Sequence, residues 1–155
     1  MWKLLQRYRA LDPEARKLFG HAATLLPLIA LSLRLRGFNK TREALQKRHS
    51  AHLPQEQRKS DPAKTVEITC RMVRAGAHYG PLHPTCLVES LALWHLLQTQ
   101  GIPVQLRIGV RKLSGKFEAH AWVESEGVPL NQVEEAHHHY LAFDSGFLDL
   151  PGEKS

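Results

Sequence analysis

The stretch that most restricts the fold is "TCLVESLALWHLLQTQG", residues 85 to 101. Leu87, Leu91, Leu93, Trp94, Leu96 and Leu97 cover most sides of a helix that runs from Thr85 to Gln100, with Gly101 as its C-cap. A helix that is apolar all round has to be enclosed by other elements, so this one belongs at the centre of a core. Directly after it the apolar period changes from 3.6 to 2. "VQLRIGVRK" alternates, "LSGK" turns, "FEAHAWVES" alternates, "EG" turns, and "VPLN" opens a third strand. A buried helix followed by an antiparallel meander is an α+β layout.

The enclosing elements precede the buried helix. Asp12-Pro13 is a helix start, because the aspartate accepts from orphan amides and a proline at the first helical position loses nothing by lacking its N–H. That helix is expected over residues 13 to 36, with Pro27 as a kink point and Gly37 as its stop. A second helix starts near Asn39 or Thr41 and ends around His49. Asp61-Pro62 repeats the start signal, and Val66, Ile68, Met72 and Val73 stripe a helix over residues 62 to 78. The polar segment "SAHLPQEQRKSDP" reads as a linker. The expected division is a helical N-terminal subdomain (1–52), a linker (53–62) and a second domain (63–155). A chain of 155 residues holds one compact core with such an attachment, and two catalytic domains do not fit.

Hydrophobic residues at 43% and charged residues at 23% exclude wholesale disorder. Two cysteines make no disulfide framework, and the N-terminus shows no cleavable small-residue site, so a reduced, cytoplasmic compartment is expected. The greasy run at residues 22 to 33 is interrupted by Thr24, Pro27 and Ser32 and falls short of the ~20 residues that span a bilayer. It is read as a buried helix, and membrane contact is not expected. The net charge of +6 is concentrated in the first 59 residues. Such a basic half attracts nucleic acid, anionic lipid or an acidic peptide, or is simply a solvated helical surface. No aromatic-interleaved basic motif accompanies it, so nucleic acid is not an expected partner.

Two positions carry possible chemistry. Cys86 stands in the first turn of the buried helix, where unpaired amides and the positive end of the macrodipole stabilise a thiolate and offer donors to an oxyanion. The same position also suits a purely structural cysteine. His120 lies mid-strand between Ala119 and Ala121, with room around the imidazole and a rigid backbone beneath it. Cys70, inside a helix, reads as a small core residue, since burial raises a thiol pKa.

A helix-start cysteine followed by a strand histidine is the order of papain-like and transglutaminase-like folds. "CLVESLALWHLLQTQGIPVQLRIGVRK", "FEAHAWVE" and "GVPLN" together resemble the leader peptidases of lasso peptide biosynthesis, members of the transglutaminase-like cysteine protease superfamily. The likeness covers roughly residues 61 to 145, and "LDPEARKLF…LLPLIALSLRLRG" is similar to the helical part that precedes the core in these proteins. The resemblance implies a cysteine peptidase that cuts the leader from a ribosomally made precursor, so that a separate cyclase can close the lasso ring. It makes Cys86 the nucleophile and His120 the general base. The family's third member is an aspartate on the following strand; here that region reads "PLNQ", which puts Asn131, or Gln132, in its place, with Asp144 as a charged alternative if the chain folds back. An amide accepts the imidazole N–H but supplies no charge to an imidazolium.

The resemblance also implies a leader-recognition protein. Residues 1 to 60 contain no strand-rich module of that kind, so a separate partner is expected, beside the precursor's leader and possibly the cyclase. No cofactor is implied. His137 to His139 are adjacent and lack companions at ligand spacing, so no metal is expected. His83 is a candidate cleft residue, and Trp94 and Trp122 are core candidates, Trp122 also a shield beside His120. Two rival readings remain: another thiol acyl transfer or amidase reaction on the same scaffold, and a chemically silent binding module that keeps the fold.

Overall fold

The computed structural model describes residues 9–50, 61–80, 83–113, 116–131 and 141–143. Among the described residues the helices α1 (Pro13–Ser50), α2 (Pro62–Tyr79) and α3 (Cys86–Thr99) precede the strands β1 (Gln105–Leu113), β2 (Lys116–Ser125), β3 (Val128–Pro129) and β4 (Leu141–Phe143). The strands form one antiparallel sheet in the order β3-β2-β1-β4. The fold is α+β, a helical layer on a small sheet.

Helix boundaries follow the capping chemistry read from the sequence. Asp12 Oδ1 accepts from the Ala15 amide at 2.7 Å, and Asp61 Oδ1 accepts from the Ala63 amide at 3.1 Å. Gly37, at φ 76° and ψ 179°, breaks α1 into two helical pieces where the sequence expects a stop, while Pro27 stays inside the first piece. At the end of α3, Gly101 adopts φ 73°, its N–H donates to the Gln98 carbonyl at 2.8 Å, and the Ile102 N–H donates to the Leu97 carbonyl at 3.0 Å. That pair of bonds closes a Schellman cap. The "EG" turn holds as well: Glu126 and Gly127 both take positive φ, 51° and 81°, as a two-residue hairpin loop requires.

Helix α3 is central. Val88, Leu91 through Trp94, Leu96 and Leu97 are buried, and they share one cluster with Ala22, Leu26, Ile29 and Leu45 of α1, Val73 and Ala77 of α2, and Val123 of β2. Helix α1 approaches α2 at Gly76, where an added Cβ would stand 3.3 Å from Ala22 Cβ and 3.4 Å from the Ala23 amide nitrogen. Of the expected linker, residues 53–62, the stretch 53–60 lies outside the described residues and Asp61 and Pro62 open α2, and the helices on its two sides share this one core. The greasy part of α1 is buried on one side only. Leu28, Leu31 and Leu35 are 57%, 53% and 73% exposed, which corrects the reading of that run as a wholly buried helix.

Candidate active site

The N-terminus of α3 begins with Thr85 as N-cap. Its hydroxyl accepts from the Val88 amide at 3.5 Å and its carbonyl from the Glu89 amide at 3.1 Å. Cys86 is therefore the first helical residue, half-buried, and its own amide and that of Leu87 belong to the turn whose donors have no intrahelical acceptor. His83 is exposed, three residues before Cys86 on the approach to the helix.

His120 is the fifth residue of β2, opposite Gly109 of β1. Alternation sets His120, Trp122 and Glu124 on one face of the strand and Ala121 and Val123 on the other, where Val123 enters the core with α3. Trp122 is buried and lies nearly parallel to the imidazole, with ring centroids 6.1 Å apart and 18° between planes. Its indole N–H donates to Glu124 Oε1 at 2.7 Å, and Glu124 Oε2 meets Arg107 Nε at 3.2 Å. Trp94 is buried in the core. Burial, and secondarily the Arg111 guanidinium, hold the His120 imidazole below its ordinary pKa, which favours the neutral form a general base needs. Arg111 is itself paired with Glu118 at 2.7 Å.

Helix and strand are tied by a serine. Ser90 Oγ, one helical turn after Cys86, donates to the carbonyl of Ala121, the neighbour of His120, at 2.9 Å. The bond thus sets the helical turn that follows Cys86 beside the strand that carries His120.

Asn131 completes the tie. Its Oδ1 accepts from the Val123 amide at 2.9 Å and its Nδ2 donates to Ser90 Oγ at 2.9 Å. Just before it, the Leu130 amide bonds the Val123 carbonyl at 2.8 Å, so the side chain of Asn131 carries on the ladder that β3 leaves off. Gln132, Asp144 and His137 to His139 lie outside the described residues. Ser90 and Glu124 were not among the residues expected at the site, and Thr85, expected as the first residue of the helix, is its N-cap. Ser90 carried a signal, as one of the few polar side chains inside an otherwise apolar helix, where a hydroxyl needs a partner. Burial pushes the Cys70 thiol up to about 11 despite the opposing charge of Arg74.

A model of the transglutaminase-like superfamily matches residues 25–143. The chain belongs to the transglutaminase-like superfamily. The match begins inside α1 and ends with β4, so this superfamily's unit takes in the helical layer as well as the sheet. Superfamily members typically work through a cysteine, in protease-like or acyl-transfer chemistry. No curated protein and no solved structure matches the chain. Among the described residues no group of three or more potential metal ligands gathers.

Proposed function

We propose that this transglutaminase-like protein is a cysteine peptidase that removes the leader from a ribosomally made lasso precursor. The observation that carries the reading is the Ser90–Ala121 bond, which fixes the helix turn behind Cys86 against the strand of His120. In the proposed reaction His120 takes the Cys86 proton, the thiolate attacks the scissile carbonyl, and the Cys86 and Leu87 amides receive the developing oxyanion. His120 then protonates the leaving amine, and water attacks the thioester to release the acid and restore the thiol. Asn131 serves as a positioning residue that holds β2, and so His120, against α3. The leader is delivered by a separate recognition protein in a cytoplasmic setting, and the cyclase acts on the product.

The test is mass spectrometry of the precursor incubated with this protein and its leader-binding partner. Leader release, seen as two fragments summing to the precursor plus one water, is expected for the wild type and abolished in Cys86→Ala. An intact precursor in every sample, with binding confirmed, overturns the reading in favour of a silent binding module. A product that has gained an amine in place of water assigns acyl transfer instead.

A further inference from the structure

The exposed leucines of α1 form a row. Leu28, Leu31 and Leu35 are spaced three and four apart, which places them on one face of the helix over about 10 Å of its length. Exposed His21 and Thr24 continue the same face toward the N-terminus, and the row stops at the Gly37 break. The opposite face, with Ala22, Leu26 and Ile29, is buried against α2 and α3.

Charge along this part of α1 is of one sign. Between residues 15 and 42 there are six cations and no carboxylate, and Lys17, Arg34, Arg36 and Lys40 among them are exposed. We propose that this face of α1 lies on an anionic lipid surface, its leucines in the headgroup boundary and its cations over the phosphates. An apolar stripe flanked by Lys and Arg has the composition of an interfacial helix, and each cation adds attraction to an anionic leaflet. By length and composition Pro13–Lys47 would also cross a bilayer, but crossing would strip Ala22, Leu26 and Ile29 from the core, whereas lying in plane uses only the face already open. The role of this surface does not depend on the peptidase reading.

The experiment is co-sedimentation of the full chain with phosphatidylcholine vesicles, alone or with about one-third phosphatidylglycerol, at low and high salt. The wild type should pellet with the anionic vesicles, remain in solution with the neutral ones, and be released by salt. The triple variant Leu28→Ser/Leu31→Ser/Leu35→Ser should lose about tenfold or more in partitioning, and Arg34→Gln/Arg36→Gln/Lys40→Gln should lose most of its preference for anionic lipid. All six side chains are exposed, so unchanged circular dichroism is the accompanying control. Wild type left in solution with both vesicle types overturns the proposal, as does a leucine variant that pellets like the wild type. Self-association that the leucine variant abolishes, without vesicle binding, assigns the row to a second copy and also overturns it.

Discussion

Replacing Asn131 by alanine removes both ends of the tie between β3, β2 and α3. The Val123 amide, on a residue with 0% exposure, loses its acceptor at 2.9 Å, and an orphaned buried donor costs about 1–3 kcal/mol. The bond from Nδ2 to Ser90 Oγ is lost too, at about 0.5–1.5 kcal/mol net, while Ser90 keeps its donation to Ala121. Together the loss is about 2–4 kcal/mol, or roughly 5–15 °C in Tm for a chain of this length. Asn131→Asp should be intermediate: a carboxylate still accepts from Val123, but the Ser90 hydroxyl has to choose between it and the Ala121 carbonyl. Thermal unfolding followed by circular dichroism measures each variant, and the cycle Asn131→Ala, Ser90→Ala and the double variant isolates the shared bond. A coupling energy of about 1 kcal/mol is expected, because the double variant loses that bond only once. Additive losses within about 0.3 kcal/mol, or an Asn131→Ala protein as stable as the wild type, would refute the tie.

Arg111→Gln should raise the His120 pKa toward its ordinary value and Glu118→Gln should lower it further, read by NMR titration of the ring protons; equal titrations would show that Arg111 exerts no field there. Since the folded imidazole is held below the unfolded value near 6.5, the native state binds the proton less well, and its stability should fall as pH drops from about 6.5 through the folded pKa, measured by urea midpoints. Iodoacetamide at pH 8 should label Cys86 well before Cys70, since a thiol near 11 is only about one part in a thousand ionised; equal rates would count against a reactive Cys86. Gly76→Leu should lower stability by about 1–3 kcal/mol or more, because the new side chain meets Ala22 Cβ and the immovable backbone of Ala23.

What the sequence revealed is what local chemistry decides. Asp12, Gly37, Asp61 and Gly101 each act on their own backbone neighbours, so helix limits could be read from single residues. The alternation after Gly101 marked the β1–β2 pairing, and "EG" marked the two-residue turn from Ser125 into β3. Less legible were the partners that only folding brings together. Asn131 meets Ser90 across 41 residues of chain, and nothing in "PLNQ" says that its amide will cap a strand. Strand β4, pairing with β1 at Ile108 to Val110, was missed because three residues are too short to show a period. The row Leu28, Leu31 and Leu35 was misjudged for a related reason: hydropathy alone does not tell which side of an apolar helix the core will take.

The placement of Cys86 on α3 links stability to the proposed chemistry. Nearly every residue from Val88 to Leu97 is buried, so the helix cannot shift along its axis without disturbing packing on several sides. Cys86 inherits that fixity while remaining at the open end, and Ser90 transmits it to β2 beside His120. A core substitution such as Leu91→Ala would therefore be expected to act in two ways. It costs about 2–5 kcal/mol as a cavity, and it loosens the helix that aims the thiol, so turnover should fall at temperatures where the variant is still fully folded. A loss of turnover that tracked only the folded fraction would instead confine Leu91 to stability.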